Sequence, residues 1–187
     1  MDKVVGQIVA KLEELGLRDD TLVIFTGDNG TKNTITSRMR DGRMIRGDKG
    51  QPTDGGTRVP LIANWPGVID AGQVNDNLID FSDFLPTLVE LTGATPPEDR
   101  VLDGRSFLHQ LKGDAGDARE WVFCHYEPKW GGRESARFAR TQRWKLYGDG
   151  RFFDIENDVL EEKPLELSGV ADEVKGTRRM LQGVLDE

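Results

Sequence analysis

The sequence predicts an α/β fold followed by a small antiparallel sheet packed against a helix. Apolar residues recur at helical spacing over residues 2–15, and the short apolar run from Thr21 to Thr26 is typical of a strand. After residue 113 the pattern changes to short strands separated by tight polar turns, which is typical of an antiparallel meander. We therefore expect an α/β portion over residues 1–113 and a sheet-and-helix subdomain over residues 114–187.

The first helix is predicted from Asp2 to Leu15, with its apolar residues on one face. Asp2 suits the N-terminal end, and Gly16 follows where a left-handed residue commonly ends a helix. The strand from Thr21 to Thr26 has a continuous apolar run, so we expect it to be buried on both faces.

Turn residues and apolar spacing predict the remaining elements. In order these are strands at 58–63 and 78–79, a helix at 82–91, a short helix ending at 111, strands at 121–126, 136–141, 144–147 and 152–155, and a helix at 170–185. We expect Ser82 or Asp83 to cap the helix at 82–91 and Gly93 to end it. Val174, Met180, Leu181 and Val184 mark the expected buried side of the last helix.

The turn Gly27-Asp28-Asn29-Gly30 places a carboxylate and an amide at the carboxyl end of the first strand. Ligands bind at that end in open α/β sheets, and the side-chain oxygens of Asp28 and Asn29 suit calcium or magnesium. Asp-Asn-Gly after a strand is also an ordinary turn, so a purely structural interpretation stays open.

Downstream, Lys49 lies among flexible glycines that would let its ammonium approach an anionic ligand. Residues 31–47 are predicted as a loop that is rich in basic residues, namely Lys32, Arg38, Arg40, Arg43 and Arg46. The loop is interpreted either as a solvated surface or as a rim that draws anions toward Lys49.

Composition excludes several classes of protein. The chain has 187 residues and a net charge of −8, which argues against a nucleic-acid partner. The single cysteine, Cys124, excludes an intramolecular disulfide framework. No apolar run approaches the roughly 20 residues of a membrane span, and the charged helix after Met1 does not match a signal peptide, so we expect neither within these residues.

Several segments together carry a resemblance that none carries alone. They are Thr21 to Gly30, the KGQPTDGGTRVP segment at 49–60, NWPG at 64–67, DFLPTL at 83–88, LDGRS at 102–106 and RTQRWKLY at 140–147. In this order they resemble the sulfatase family, of arylsulfatase type, in the alkaline phosphatase superfamily. The resemblance implies the C-terminal part of an alkaline-phosphatase-like α/β sandwich plus a small subdomain of antiparallel sheet and helix.

The resemblance also implies a chemistry, the hydrolysis of sulfate monoesters with one divalent cation, calcium. Asp28 and Asn29 match the family's metal ligands, and Lys49 matches its sulfate-binding lysine. The implied partner is a sulfated small molecule or glycan, and the implied compartment is periplasmic or extracellular.

The family's nucleophile, a formylglycine made from Cys-x-[Pro/Ala]-x-Arg, has no counterpart here. Cys124 precedes His125-Tyr126-Glu127-Pro128, which does not match. We therefore expect the nucleophile and further metal ligands in a missing N-terminal half, and no activity from this chain alone. Two alternatives stay open: a phosphomonoester, phosphodiester or phosphonate hydrolase of the same superfamily, or a truncated module that binds sulfated ligands without turnover.

Other residues were weighed for a role in the site. Cys124 and His125 are neighbours in a predicted strand, so they face opposite ways and form no catalytic dyad. His125, with Tyr126 and Trp130, either lines a substrate pocket or is structural. Residues 154, 156 and 158 are acidic at alternate positions, but residues 159 and 165 lack the glycine and glutamate of a calcium loop.

Overall fold

The computed structural model describes residues 1–39, 41–96, 98–128 and 134–187. Arg40 and Trp130, which we considered for the basic rim and for a substrate pocket, lie outside these described residues. Within them, none of the helices is long and apolar enough to cross a membrane.

The first part of the chain mixes helices and strands, and a run of four strands precedes the last helix. In chain order they are α1 (Asp2–Glu14), β1 (Val23–Thr26), β2 (Thr36–Arg38), β3 (Met44–Arg46), α2 (Asp54–Thr57), β4 (Leu61–Asn64), α3 (Phe84–Thr92), α4 (Leu108–Lys112), β5 (Val122–Tyr126), β6 (Ala136–Arg140), β7 (Trp144–Tyr147), β8 (Phe152–Asp154) and α5 (Asp172–Asp186).

The chain forms two compact units. The first unit contains Met1–Thr26 and Pro60–Ala118, and the second unit contains Gly27–Val59 and Arg119–Glu187. The second unit thus joins an early segment of the chain to the C-terminal strands. Our division of the sequence after residue 113 stays a prediction.

In the first unit, β1 and β4 pair antiparallel, with Val23 opposite Asn64 and Thr26 opposite Leu61. Every residue of β1 is half-buried, so the expectation of burial on both faces is wrong. Among the described residues β1 pairs with β4 alone, and a two-stranded sheet covers little of either strand. α1 follows its predicted span closely, but none of its residues is buried.

Helix α3 confirms the helix predicted at 82–91 and has Asp83 at its N-cap position, although the Asp83 side chain makes no capping hydrogen bond to α3. The Asp80 carboxylate accepts from the Ser82 N–H at 2.9 Å, and the Asp83 carboxylate accepts from the Asp80 N–H at 2.8 Å. This reciprocal capping box makes Asp80 the capping residue of the 3-10 turn that leads into α3. Gly93 ends the helix in the left-handed conformation, as predicted.

The core of the first unit forms where α3 meets the segment before α4. The Phe84 and Phe107 rings meet edge to face with their centroids 5.4 Å apart, and the buried Thr87 hydroxyl accepts from the Phe107 N–H at 3.0 Å. The strand predicted at 78–79 is wrong, because Leu78 forms only an isolated bridge. Two apolar residues supply too few ladder hydrogen bonds for a strand.

The predicted basic loop is instead a β-hairpin, in which β2 and β3 pair antiparallel with Ser37 opposite Ile45. Its turn follows from Asp41-Gly42. The Asp41 carboxylate accepts from the Arg43 N–H at 3.0 Å, and Gly42 takes a φ of 87° that suits glycine. Asp-Gly between two short strands is a recognised hairpin signal, which the sequence analysis overlooked because of the charges around it.

The second unit confirms the predicted antiparallel meander, with strand order β5-β6-β7-β8. One face packs against α5 through a buried cluster of Ala139, Leu146, Phe152, Leu181 and Leu185. The four α5 residues expected on the buried side all belong to or contact this cluster, and Leu185 adds to them. The opposite face carries a second cluster of Phe138, Tyr147, Phe153 and Ile155.

Candidate functional site

The predicted metal ligands and the predicted sulfate-binding lysine lie on two backbone segments that hydrogen-bond to each other. We call these the Asp28 turn (residues 27–31) and the Lys49 loop (residues 47–57). The Gly30 N–H donates to the Gly56 carbonyl at 2.8 Å, and the Lys49 N–H donates to the Thr31 carbonyl at 2.9 Å. The structure therefore brings Asp28, Asn29 and Lys49 into one locally ordered backbone assembly.

Glycine is required at Gly30, where the two segments touch, and at Gly56, where the Lys49 loop packs on itself. A Cβ on Gly30 would lie 2.0 Å from the Gly55 carbonyl oxygen, and one on Gly56 would lie 2.1 Å from the Gln51 carbonyl oxygen. Both glycines are buried. We expected glycines in the Lys49 loop to supply flexibility, but these two permit close backbone packing and so hold the assembly in place.

The Asp28 turn presents hard oxygen donors of the kind a calcium ion prefers. Asp28 is exposed, and the Asn29 amide nitrogen donates to the Gly30 carbonyl at 2.9 Å, so the amide oxygen is the atom of this side chain that suits a cation. These groups fit part of a divalent-cation site. Among the residues that the structure describes, no group of three or more His, Cys, Asp or Glu side chains gathers as a metal site.

The Lys49 side chain is exposed, and its backbone position is fixed on both sides. Its own N–H bonds Thr31, and the next residue, Gly50, accepts at its carbonyl from the Tyr126 hydroxyl at 2.6 Å. An exposed ammonium on a fixed backbone can meet an anionic ligand with little reorganisation.

The basic residues of the hairpin are exposed, as a rim would require. Among the described residues these are Lys32, Arg38, Arg43 and Arg46. Arg43 is engaged locally, because its Nε lies 2.5 Å from an Asp41 oxygen. Backbone and side-chain hydrogen bonds from Arg43 lower the pKa of Asp41 below its ordinary value. That pairing reduces the net positive charge of the rim.

A set of buried ionisable side chains, which the sequence analysis missed, lies where the Lys49 loop meets the C-terminal sheet. We call it the buried ion cluster; its members are Asp54, Arg140, Lys145, Tyr147 and Glu161. The side chains of Lys145, Glu161 and Asp54 are 0%, 2% and 3% exposed. Charges this deeply buried are rare unless they are paired.

Each charge in the buried ion cluster has an opposite charge beside it. Arg140 Nη1 lies 2.6 Å from Asp54 Oδ1, and Lys145 Nζ lies 2.8 Å from Glu161 Oε1. The Tyr147 hydroxyl donates to the other Glu161 oxygen. The Lys145 ammonium also stands 4.0 Å from the centroid of the Phe138 ring, a cation–π contact.

Burial perturbs the acid–base properties of two members of the cluster. Desolvation lowers the pKa of Lys145, while the negative charges of Glu161 and Asp54 act in the opposite direction. Desolvation raises the pKa of Tyr147, and the adjacent Glu161 carboxylate raises it further. Removing one partner would leave a buried charge uncompensated, so the cluster is stable only as a set.

Asp54, which also lies in the Lys49 loop, adds no oxygen ligand to the Asp28 turn. Its carboxylate is buried and paired with Arg140, so it is not available to a cation at the Asp28 turn. One sequence signal for the buried lysine exists. In Trp144-Lys145-Leu146-Tyr147 the lysine stands among apolar residues of a predicted strand, and the structure places it at a buried position.

The other weighed residues lie apart from this assembly. Cys124 is half-buried and packs against the second apolar cluster, as a small hydrophobic residue would. His125 is exposed, with its Nε2 3.3 Å from Glu127 Oε2. Strand alternation points His125 away from the sheet face on which Tyr126 reaches the Lys49 loop. The role of His125 in substrate binding stays a prediction.

Comparisons with known proteins agree with the motifs. The model of the Sulfatase family matches residues 1–94. Human steryl-sulfatase is 39% identical over 131 residues, covering 67% of this chain and 22% of the relative. Human arylsulfatase A is 36% identical over 148 residues, covering 79% of this chain and 28% of the relative. The matched region is thus under a third of the length of these curated relatives.

Solved structures agree with the expected fold. A 2-O GAG sulfatase superposes with a TM-score of 0.72 at 24% identity, covering 98% of this chain and 40% of that one. A protein solved with its substrate D-glucosamine-2-N,6-O-disulfate gives a TM-score of 0.71 at 24% identity, covering 99% of this chain and 37% of that one. The predicted alkaline-phosphatase-like fold is confirmed along nearly the whole chain.

Proposed function

The chain belongs to the sulfatase family, and on that premise we propose that it supplies the cation-binding and sulfate-binding part of a sulfate monoester hydrolase. The observation that carries the proposal is the pair of backbone hydrogen bonds that joins the Asp28 turn to the Lys49 loop. Through them, hard oxygen ligands and a cation are presented by one rigid support, as binding a sulfate ester beside a metal ion requires.

In this proposal each described residue has a distinct role. Asp28 and Asn29 hold a calcium ion through side-chain oxygens, and a bound divalent cation supplies electrophilic polarisation of a sulfate oxygen. The Lys49 ammonium binds the sulfate and neutralises charge that develops as the ester bond breaks. Each curated relative named above is called a sulfatase, which favours a sulfuryl over a phosphoryl group.

We propose that an N-terminal half of the same enzyme completes the site with the formylglycine nucleophile and further metal ligands. Two observations support a covering partner for the first unit: α1 has no buried residue, and Val4 and Ile8 on it are 54% and 52% exposed. The substrate is a sulfated small molecule or glycan, and the compartment is periplasmic or extracellular. In this proposal the chain alone does not turn over a sulfate ester.

Sulfate binding by the chain tests the role of Lys49. We expect inorganic sulfate to shift the amide resonances of Lys49 and Gly50 in an NMR titration, and Lys49→Ala to remove that response. Lys32→Ala is the matched control, since it removes an exposed lysine outside the Lys49 loop. An equal response from the wild type and Lys49→Ala would overturn the proposal.

Calcium binding tests the Asp28 turn. Asp28 and Asn29 supply two or three oxygens, whereas calcium takes six to eight, so we expect binding weaker than about micromolar. Titration calorimetry of wild type and Asp28→Ala measures this. An affinity tighter than about micromolar would mean that this chain completes the site by itself, and an affinity that Asp28→Ala leaves unchanged would show that the ligands are elsewhere.

A further inference from the structure

The backbone of the Lys49 loop is held at every second residue by side chains from the C-terminal part of the chain. The contacts are Tyr126 Oη to the Gly50 carbonyl at 2.6 Å, Lys145 Nζ to the Pro52 carbonyl at 2.6 Å, and the Asp54 N–H to Glu161 Oε1 at 2.9 Å. Two of these three side chains belong to the buried ion cluster. The middle of the Lys49 loop, from Gly50 to Asp54, is therefore attached to the C-terminal part of the chain.

A buried ion pair is a costly way to fill this space, because apolar side chains of similar volume often stabilise a core as well or better. An apolar residue at position 145 would nevertheless leave the Pro52 carbonyl without its donor. Lys145 donates to that carbonyl and to Glu161, and Glu161 in turn accepts from the Asp54 N–H. The polar groups thus fix the position of a backbone, which apolar packing would leave less defined.

The contacts are directional and close to the lysine in sequence. Gly50 is the residue after Lys49, and its φ of 85° gives the backbone a sharp change of direction at that point. The Tyr126 hydroxyl bonds the carbonyl of this same residue. A shift of about 1 Å in a group that acts on a bound ester costs on the order of a hundredfold in rate, so such anchoring has a functional consequence.

We propose that Tyr126, Lys145 and Glu161 are positioning residues for Lys49. They hold the Lys49 loop on the C-terminal sheet so that the ammonium stays where it meets the sulfate group. The inference rests on the proposed sulfate-binding role of Lys49, but its structural part stands independently of that role. The C-terminal sheet then contributes to the sulfate site without contacting the sulfate itself.

Hydrogen exchange in the full chain tests the anchoring. Tyr126→Phe keeps the ring and removes only the hydroxyl, whereas loss of the buried Lys145 risks unfolding. We expect the Lys49 and Gln51 amides, which donate to Thr31 and Asp48, to exchange roughly three- to tenfold faster in Tyr126→Phe. The Thr141 amide, which bonds within the sheet, should be unchanged.

The matched control is Arg143→Gln, which removes an ion pair of the same sheet with Asp154 and touches no part of the Lys49 loop. It should leave exchange of the Lys49 amide at the wild-type rate. Unchanged exchange at Lys49 in Tyr126→Phe would overturn the inference. Equal acceleration at Lys49 and Thr141 would also overturn it, since that indicates general destabilisation.

A double-mutant cycle with inorganic sulfate separates positioning from a merely structural role. Tyr126→Phe should weaken sulfate binding several-fold in the wild-type background and not at all in Lys49→Ala. Equal weakening in both backgrounds would overturn the inference. If exchange at Lys49 accelerates but Lys49→Ala binds sulfate as well as the wild type, the anchoring stands and the proposed function fails.

Discussion

Two lysines of the second unit show opposite uses of the same side chain. Lys49 is exposed on a loop, while Lys145 is 0% exposed and pairs with Glu161 on the inner face of β7. The exposed side chain of Lys49 remains in contact with solvent. The buried one has lost its water and depends on protein partners for every hydrogen bond it makes. The two lysines therefore differ in their surroundings, since Lys49 is open to solvent and Lys145 is enclosed by protein groups.

The largest expected effect on stability comes from replacing Lys145, the buried one of the two lysines. Lys145→Met leaves the Glu161 carboxylate buried without its cation, so we expect a loss of about 3–5 kcal/mol in the free energy of unfolding. Urea denaturation of the chain measures it. Lys49→Met, the matched substitution, should change stability by less than about 0.5 kcal/mol.

Adding Glu161→Gln to Lys145→Met should restore part of the lost stability, because no unpaired buried charge then remains. Equal stabilities for the two single lysine variants would remove the contrast between them. It would show that the buried ion pair contributes no more than a surface lysine.

The exposed lysine should dominate catalysis instead. In an enzyme completed with its N-terminal half, Lys49→Ala should lower the turnover rate on nitrophenyl sulfate by a factor on the order of a hundred to a thousand, since groups aimed at developing charge contribute about 2.7–4 kcal/mol. Lys49→Arg should restore the rate only in part, because a planar fork replaces a compact charge.

Lys32→Ala and Arg38→Ala serve as controls for that measurement. Each removes an exposed charge of the rim, so each should change mainly the salt dependence of substrate capture. If Lys49→Ala kept normal turnover while a rim variant lost it, the sulfate would be bound by a different cation from the one proposed.

The smallest effect concerns pH. Tyr147 has a raised pKa in the folded chain, so its contribution to stability is fully present below the ordinary tyrosine pKa of about 10 and is lost as pH rises through the folded value. The stability advantage of wild type over Tyr147→Phe, about 1 kcal/mol at pH 8, should therefore fall between pH 10 and 11. Urea denaturation across this range tests it, and a constant difference would contradict the assignment.

The sequence predicted features whose causes are local or carried by motifs. Strand β7 was predicted over the residues it occupies, and Gly93 was identified as the end of α3. Asp28 and Lys49 were picked out by motif, and the structure places them on hydrogen-bonded segments.

The features that were not predicted correctly depend on long-range contacts or on competing sequence signals. The pairing of Asp54 with Arg140 joins residues 86 positions apart, and no local pattern indicates such a contact. The β2–β3 hairpin was not predicted because the basic residues around the Asp41-Gly42 turn favoured the interpretation as a loop. The prediction of full burial for β1 is wrong because an apolar sequence indicates only that a strand can be buried. It does not indicate whether neighbouring elements are present to bury it.

The packing at Gly30 and Gly56 bears on how such a site acquires new selectivity. A single added methyl group there would strike a carbonyl oxygen at 2.0 or 2.1 Å, so the ligand-bearing turns tolerate almost no change. The tip of the β2–β3 hairpin has a different constraint: a methyl group on Gly42 would meet no described atom within 4 Å, but the φ of 87° at Gly42 strains any residue other than glycine. Changes in recognition are therefore better made at exposed hairpin positions such as Arg38 and Met44 than at Gly42, Gly30 or Gly56.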